Sequence, residues 1–527
     1  MLFSRLNSGC TLSRICLGFV LGIGLCLPLS AEDDWKVKLQ GILDEPTYTQ
    51  SHWGVLAADQ ATGEVLFEHD AHKLFAPASV TKLYSVAAAL DELGADFRFE
   101  TPIYRRGEVN AAGQLDGDLI LVATGDLTLG GRTTAEGKIS FRNSDHTYAN
   151  GVTTAQITDE DPLAGLRELA KQVAAAGIKS VKGDVLIDDR LFDRAESTGS
   201  GPALVSPVSL NDNLVDVVVT PASEIGTQAT FEWRPQTTLL NIDCVVQTVA
   251  ADAKPDVSIT WAGPGRVVVR GQIPLGQSPL LRVADWSDPE FYVRGCLIEE
   301  LGRAGVQVQS SRFAAPAAAS LPPQEWYAAA AKVATLQSPP FSENAKLILK
   351  VSHNLHASTL PLLIAAKHGE RTLAAGLKRE GEFLQRAGVD LSTISFGGGA
   401  GGSRADFTTP TATVQLLRHM STRPDFAAYN AALPVLGMDG TLATVVDESS
   451  PARGKVQAKT GTFYLENSLN GRWLLTSKAL AGYVDAASGR QVVLAVFVNG
   501  THLGTSDETK REGRTLGRIA ETIQQGL

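Results

Sequence analysis

The chain has 527 residues, more than one hydrophobic core normally accommodates, so the sequence predicts more than one structural unit. A composition of 44% hydrophobic and 20% charged residues permits a large core. The formal net charge is −10 and no stripe of basic residues is present, which argues against nucleic-acid binding.

The first 31 residues have the pattern of an export signal. Arg5 and Arg14 precede the apolar run ICLGFVLGIGLCLPL, and small residues precede a cleavage position after Ala31. An uncleaved membrane anchor is the alternative, but the apolar run is short for a membrane span. No second run approaches that length, so we expect a periplasmic or otherwise extracytoplasmic mature chain without a transmembrane span.

The residues that follow predict strands and then a helix. The stretch WGVLAADQATGEVLFEHD, residues 53–70, is typical of two strands joined by a turn at Thr62-Gly63. A helix with an alanine-rich interior is predicted from Ser79 to Gly94.

From about residue 97 to residue 309 the pattern changes to short strands, turns and isolated helices. Residues 117–129 and 183–193 are predicted buried strands that end in acidic turns. Residues 161–185 and 288–308 both combine Asp-Pro, an amphipathic helix and a valine-rich strand, which is a weak internal repeat.

The last part of the chain begins with a predicted linker at residues 313–326, rich in Pro and Ala. Helical patterns follow, and strands return in GKVQAKTGTF, ALAGYVD and RQVVLAVFVNG. A final helix spaces Leu516, Ile519 and Ile523 by three and four residues. Because strands and helices occur at both ends around a long middle, we predict an α+β core that is interrupted by other domains.

Ser79 and Lys82 are three residues apart at the start of a predicted helix. Residues i and i+3 share a helix face, so the ammonium can lie beside the hydroxyl. A serine becomes a good nucleophile when a base takes its proton, and a lysine can be that base when burial and neighbouring positive charge lower its pKa. The alternative is that Ser79, close to Pro77, is an ordinary helix cap.

Two further motifs favour the catalytic interpretation. Residues 352–354 read S-H-N between two predicted helices, and residues 459–461 read K-T-G on a predicted strand. The order S-x-x-K, S-x-N, K-T-G is the motif set of penicillin-recognising serine enzymes. Three motifs in this order, each on the expected element, are hard to reconcile with coincidence.

On these motifs the chain resembles the class C low-molecular-mass penicillin-binding proteins, the D-alanyl-D-alanine carboxypeptidase/endopeptidase family. The stretches PASVTKL, GDLILVATGDLTL, VSLNDNLVDVVVTP, LPVLGMDGTL and AKTGTF carry the resemblance over nearly all of the mature chain. The resemblance implies a penicillin-binding-protein/β-lactamase-like transpeptidase core, an antiparallel sheet with helices, split into residues 32–97 and 333–527. Inserted accessory domains would occupy residues 98–332, with a nested domain at roughly 190–285.

The motif residues suggest an acyl-enzyme mechanism. Lys82 would take the proton of Ser79, which attacks the substrate carbonyl, and Ser352 would relay a proton to the leaving nitrogen. Asn354 would hold a substrate amide, and Lys459 would bind the terminal carboxylate of the substrate.

The strand that carries the third motif would complete the substrate site. Thr460 would share the carboxylate with Lys459, and Gly461 would allow a close backbone approach. The backbone N–H groups of Ser79 and Thr462 would form the oxyanion hole.

Asp126 and Arg404 resemble family positions near the penultimate side chain of the substrate. The alternative is a strand-end turn for Asp126 and a structural salt bridge for Arg404. The chain departs from the family pattern at four places: His353 replaces an Asp, Leu127 replaces a Pro, residues 398–404 read GGAGGSR, and LENSLNGRWLLTSK contains about eight extra residues.

Three remaining features carry weaker signals. Cys244 and Cys296, the cysteines outside the export signal, could form a disulfide or remain two buried thiols. Glu466 lies in an E-x-x-L-N stretch that resembles a β-lactamase deacylation motif, but it follows the third motif and is predicted to be an ordinary loop residue. His353 and His356 form an H-x-x-H pair without a visible third ligand, so no metal site is predicted.

The resemblance implies a serine-type D-Ala-D-Ala carboxypeptidase that acts on peptidoglycan stem peptides without a cofactor. Endopeptidase cleavage of D-Ala cross-links would use the same site, and the sequence leaves the balance of the two activities open. β-Lactams would acylate Ser79. A serine β-lactamase or esterase on the same core is one alternative, and a non-catalytic cell-wall-binding scaffold is the other.

Overall fold

The structure is a computed structural model that describes residues 31–315 and 321–527. Residues 1–30 of the predicted export signal and residues 316–320 of the predicted linker therefore lie outside the described chain. Within the described ranges, none of the helices combines the length and the apolar character needed to cross a membrane.

The described helices are numbered in chain order. They are α1 Ala31–Leu43, α2 Thr81–Leu93, α3 Ala164–Ala175, α4 Pro289–Arg303, α5 Phe341–Lys350, α6 Asn354–Lys367, α7 Leu373–Arg386, α8 Pro410–Ser421, α9 Phe426–Ala432 and α10 Thr509–Gly526.

The strands are numbered in the same way. They are β1 His52–Asp59, β2 Val65–His69, β3 Glu100–Val109, β4 Gln114–Val122, β5 Ser180–Val181, β6 Val185–Asp188, β7 Ala195–Glu196, β8 Leu204–Val205, β9 Leu214–Thr220, β10 Thr230–Arg234, β11 Asn241–Val249, β12 Asp256–Gly263, β13 Arg266–Pro274, β14 Leu280–Asp285, β15 Gln307–Val308, β16 Ala331–Gln337, β17 Val456–Asn467, β18 Arg472–Asp485, β19 Gln491–Asn499 and β20 Thr501–Leu503.

One antiparallel sheet unites the two ends of the chain. Its strand order is β17-β18-β19-β1-β2, with β20 beside β18. Val55 of β1 pairs with Val496 of β19, and Lys459 of β17 pairs with Ala481 of β18. Residues more than 400 positions apart are thus neighbours in this sheet, as the predicted split core requires.

Helices cover both faces of this sheet because the strands are apolar on both faces. Along β18 and β19 the side chains alternate, so that Ala481 and Phe497 pack with α2, α5, α6 and α8. Leu480 and Val496 point the opposite way and pack with α1 and α10. The sheet is therefore the middle layer of three, and the predicted α+β fold class is confirmed.

The residues between the two halves of this sheet form further sheets around a separate core. β15-β5-β4-β3-β16 make one sheet, with β6 beside β4, and β10-β9-β14 and β11-β13-β12 make two more. Apolar side chains of these sheets pack together with α3 and α4. We call residues 98–332 the inserted segment, and its division into domains at the boundaries given above stays a prediction.

Two elements differ from the sequence expectation. The helix predicted from Ser79 starts as a 3-10 turn, Ala78–Val80, and becomes α-helical at Thr81. The extra residues after the third motif are not a loop, because β17 and β18 pair as far as Asn467 and Arg472 in one long hairpin.

Candidate active site

The serine of the first motif lies on the short 3-10 turn in front of α2. Ala78, the residue before it, has a φ of 45°, a left-handed conformation that non-glycine residues rarely adopt. The Ser79 side chain is half-buried, and its Oγ accepts a hydrogen bond from Lys82 Nζ at 2.9 Å. No side chain caps this turn or the start of α2, so the alternative that Ser79 is an ordinary helix cap is wrong.

Lys82 is fully buried at the centre of the site. Its Nζ also donates to Asn354 Oδ1 and to the Ala400 carbonyl, both at 2.7 Å. Burial, with the positive charge of Lys459 as the second cause, holds the pKa of Lys82 well below its usual range. A lysine in this state can accept a proton from the adjacent hydroxyl at neutral pH.

The second motif lies in the tight connection between α5 and α6. Ser352 has a φ of 66°, which places it in the left-handed region, and its Oγ accepts a hydrogen bond from Lys459 Nζ at 2.9 Å. Lys459 is completely buried on β17 and also donates to the Thr460 carbonyl at 2.8 Å. Burial lowers the pKa of Lys459 to about 7.

The third motif brings β17 against the serine turn. Thr460 Oγ1 donates to Thr441 Oγ1 at 2.7 Å. A Cβ at Gly461 would be 2.4 Å from the Pro77 carbonyl oxygen, so only glycine allows this approach of strand and turn.

These elements enclose one cavity of about 250 Å³. The predicted residues on its wall are Ser79, Ser352, Asn354, Thr460 and Thr462. Lys82 and Lys459 lie directly behind this wall, because each is hydrogen-bonded to one of its serines. The structure therefore brings together the residues that the three motifs predicted.

Part of the cavity wall was not predicted. The inserted segment contributes Asn143, Ser144, Tyr148, Val152 and Ser200. None of these residues belongs to a chemical motif in the sequence, and only the folded chain places them beside Ser79.

The altered turn at residues 398–404 also reaches the site. Its Ala400 carbonyl is one of the three acceptors of Lys82. Because this acceptor is a backbone atom, the contact does not depend on the side chains in which the turn departs from the family pattern. Asp406 follows the turn and accepts hydrogen bonds from the Gly397 and Ser403 N–H groups. The charge of Asp406 opposes, without cancelling, the lowering of the Lys82 pKa.

Asp126 and Arg404 do not line this cavity. Asp126 is buried and its Oδ1 accepts from the N–H groups of Thr128 and Leu129, which is the geometry of a strand-end turn. Arg404 is exposed and forms no ion pair or hydrogen bond within residues 31–315 and 321–527. Their contact with substrate stays a prediction.

The histidine pair of the second motif has a third neighbour that the sequence did not reveal. Asp212 of the inserted segment lies 2.6 Å from His356 Nε2 and 3.4 Å from His353 Nε2 through the same oxygen, Oδ1. Its other oxygen accepts from Arg132 and from His146. Asp212 is thus the third ligand-type side chain that the sequence did not reveal, and Arg132 donates to the same carboxylate.

The remaining sequence features have simple outcomes. Cys244 on β11 and Cys296 on α4 are buried free thiols, so the disulfide alternative is wrong. Glu466 is exposed on the long hairpin, where it pairs with Trp473, and it does not line the cavity.

Comparison with known proteins identifies the family. The sequence model of the D-Ala-D-Ala carboxypeptidase 3 (S13) family matches residues 36–521, which is most of the chain. The chain belongs to this family. The predicted family, enzyme class and activity are thereby confirmed: the protein is a serine-type D-Ala-D-Ala carboxypeptidase, a peptidase and hydrolase.

Individual relatives agree with this S13 assignment. A D-alanyl-D-alanine carboxypeptidase of Actinomadura sp. (strain R39) is 28% identical over 484 residues, 88% of this chain and 80% of that protein. D-alanyl-D-alanine carboxypeptidase DacB of Haemophilus influenzae is 24% identical and covers 94% of both chains.

Solved structures support the fold of this S13 carboxypeptidase. Penicillin binding protein 4 of Haemophilus influenzae superposes with a TM-score of 0.69 at 20% identity, over 93% of this chain and 99% of that chain. The same protein in complex with a β-lactam gives a TM-score of 0.66.

Proposed function

We propose that this carboxypeptidase cleaves the D-Ala-D-Ala end of peptidoglycan stem peptides through an acyl-enzyme on Ser79. The observation that carries the proposal is the short contact between Ser79 Oγ and Lys82 Nζ, 2.9 Å, together with the lowered pKa of Lys82. In neutral Lys82 the two N–H groups serve Asn354 Oδ1 and the Ala400 carbonyl, so the lone pair faces Ser79 Oγ and the donor in that contact becomes the serine. Lys82 then takes the hydroxyl proton while Ser79 Oγ bonds to the carbonyl carbon of the penultimate D-Ala.

The negative charge then develops on the carbonyl oxygen. The backbone N–H groups of Ser79 and Thr462 are the donors we assign to it, since both residues line the cavity. Asn354 accepts from Lys82 and donates to the Ser200 carbonyl at 2.8 Å, so its amide also orients the base. It remains the residue we assign to the substrate amide.

Expulsion of the terminal D-Ala needs a proton and an anchor. The proton taken by Lys82 passes through Ser352 to the leaving nitrogen. Thr460 on the cavity wall binds the terminal carboxylate, and the ammonium of the buried Lys459 is the counter-charge behind that wall. The Lys459 contact to Ser352 Oγ orients the relay. Water then hydrolyses the ester, with Lys82 as the base we assign because its Nζ is already beside Ser79 Oγ.

The same chemistry extends to two related substrates. A D-Ala cross-link presents the same carbonyl, so endopeptidase cleavage would use the same residues. The amide of a β-lactam would acylate Ser79 and leave a slowly hydrolysed ester. A chain with this substrate works outside the cytoplasm, as the export pattern of residues 1–31 predicts.

A labelled penicillin tests the proposal. We expect a stable covalent adduct on the full chain, no adduct with Ser79→Ala, and an unchanged adduct with Ser392→Ala, a serine exposed on a 3-10 turn away from the cavity. Release of D-Ala from a pentapeptide should be lost in Ser79→Ala and kept in Ser392→Ala. Labelling of Ser79→Ala would contradict the proposal, and rapid release of the label from the unaltered chain would identify a β-lactamase instead.

A further inference from the structure

Three consecutive residues of the second motif are each held by a different part of the inserted segment. Tyr148 Oη donates to the Ser352 carbonyl. Asn354 Nδ2 donates to the Ser200 carbonyl at 2.8 Å. His353 Nε2 faces Asp212 Oδ1 at 3.4 Å. The turn that carries Ser352 is thus fixed from outside the core to which it belongs.

Asp212 is the buried carboxylate in the third of these contacts. Its side chain is 2% exposed, and its Oδ2 accepts from Arg132 and His146, both at 2.7 Å. Its Oδ1 faces both His353 and His356. Burial alone would raise the pKa of Asp212, but Arg132 and the two histidines outweigh it and hold that pKa well below the usual range, so the group is ionised.

The histidine rings are oriented for this carboxylate. They stack with their centroids 3.7 Å apart at the start of α6. His353 Nδ1 accepts the backbone N–H of His356 at 3.3 Å, so in the neutral ring the proton lies on Nε2, the atom that faces Asp212. His353, the residue that departs from the family pattern, therefore turns its Nε2 toward Asp212 of the inserted segment, 3.4 Å away without a hydrogen bond, and not toward the cavity.

The backbone around Asp212 supports the same interpretation. Asn211, Asp212 and Asn213 have φ values of 50°, 54° and 56°, three successive left-handed residues without a glycine. Asn and Asp tolerate this conformation better than other residues, yet each position still has a cost that the surroundings must offset. Asn211 Nδ2 donates to the Leu214 carbonyl at 2.9 Å, and the Asn213 carbonyl accepts from Trp286 N–H at 2.7 Å.

The held turn is itself strained. Ser352 is left-handed without being glycine, and this conformation aims its Oγ at Lys459. A turn of this kind relaxes when its neighbours are removed, and a small displacement of a reacting group costs a large part of the rate.

We propose that Asp212 is a positioning residue that keeps Ser352 and Asn354 in their reactive arrangement through His353 and His356. The inserted segment thereby completes the active site instead of acting as a separate accessory domain. The catalytic consequence of this proposal rests on the proposed function, whereas the fixation of the turn does not.

Asp212→Asn tests the proposal, because it keeps the shape of the side chain and removes one acceptor oxygen and the charge. We expect backbone hydrogen exchange at residues 352–356 to be faster in the folded Asp212→Asn variant than in the unaltered chain. We also expect a fall of about tenfold to a hundredfold in the acylation rate constant with penicillin and in kcat for D-Ala release, with a smaller change in KM.

Asp188→Asn is the matched control. Asp188 is an equally buried carboxylate of the inserted segment that accepts from Arg190 and from Tyr327 Oη, but it has no contact with residues 352–356. It should lower the thermal midpoint while leaving the acylation rate and the exchange at 352–356 unchanged. Tyr148→Phe, which removes only the donor to the Ser352 carbonyl, should slow acylation even if Asp212→Asn fails to fold.

The outcomes separate the two proposals. Wild-type acylation and wild-type exchange in Asp212→Asn would overturn the positioning role, as would an equal loss of acylation in Asp188→Asn. Absence of penicillin labelling in the unaltered chain would instead contradict the proposed function, and hydrogen exchange at 352–356 would still measure the fixation of the turn.

Discussion

Two buried lysines lie at the centre of the site. Lys82 contacts Ser79 and Lys459 contacts Ser352, and burial lowers the pKa of both lysines. The charge of Lys459 is a further cause of the low pKa of Lys82. We therefore assign the ammonium, the form proposed to attract the substrate carboxylate, to Lys459 and the neutral amine of the proposed base to Lys82.

This division predicts the pH dependence of the reaction. The pKa of Lys459 is lowered to about 7, so its ammonium is lost as the pH rises through that value. We expect kcat/KM for a pentapeptide to fall above about pH 7, because the terminal carboxylate loses its partner. Lys459→Arg keeps the charge at all these pH values and should be less active but lack this fall. A fall at the same pH in that variant would assign it to another group.

At the scale of elements, the site depends on how closely β17 approaches the turn in front of α2. β17 is at one end of the strand order of its sheet and pairs with β18 along its length. Its Thr460 and Thr462 line the cavity, and Gly461 between them lies beside the Pro77 carbonyl. The sequence predicted both elements, but this approach follows only from their packing.

Gly461→Ala should therefore separate strand and turn. The added Cβ would be 2.4 Å from the Pro77 oxygen, a backbone atom that cannot move away alone. We expect acylation by penicillin to slow by about tenfold or more, measured by stopped-flow, since Thr462 and Ser79 no longer lie at their present separation.

Gly302→Ala is the control for this substitution. A Cβ at Gly302 on α4 meets nothing within 4 Å, so this variant should be slightly more stable and acylate at the normal rate. Normal acylation by Gly461→Ala would show that the close approach is not needed.

At the scale of the molecule, the two ends of the chain close the sheet face that is turned away from Ser79. Trp35 and Leu39 of α1 pack with Ile519 and Ile523 of α10 in one apolar cluster with the sheet. The helices that carry the site pack on the opposite face. Stability and catalysis are thus supported by different faces of one sheet.

Trp35→Ala should separate these two contributions. The indole is 3% exposed, and its loss should lower the free energy of unfolding by about 3–5 kcal/mol and reduce the thermal midpoint. Acylation at 25 °C, well below that midpoint, should keep its normal rate. Leu469→Ala, at a hairpin tip that is 97% exposed, should change neither quantity. Slower acylation by the folded Trp35→Ala variant would contradict the separation.

The three motifs predicted much of the site because each motif is a short stretch of neighbouring residues. Ser79 with Lys82, residues 352–354 and residues 459–461 each lie on one turn or strand, where spacing alone decides which side chains share a face. The sequence did not predict α1, which begins at Ala31, where the export pattern ends. The free state of Cys244 and Cys296 was likewise left open, since it depends on how β11 and α4 pack.

The sequence by itself determined the family and the α+β core and predicted the residues proposed for the reaction, because hydrophobic period and short motifs are local properties of a chain. Only the tertiary structure decided that Asp212 is hydrogen-bonded to His356 and that Tyr148 donates to the Ser352 carbonyl. These partners lie more than 130 positions apart, and nothing in either stretch alone specifies the other. The reason is physical: a buried carboxylate finds its donors through the packing of the inserted segment against α6.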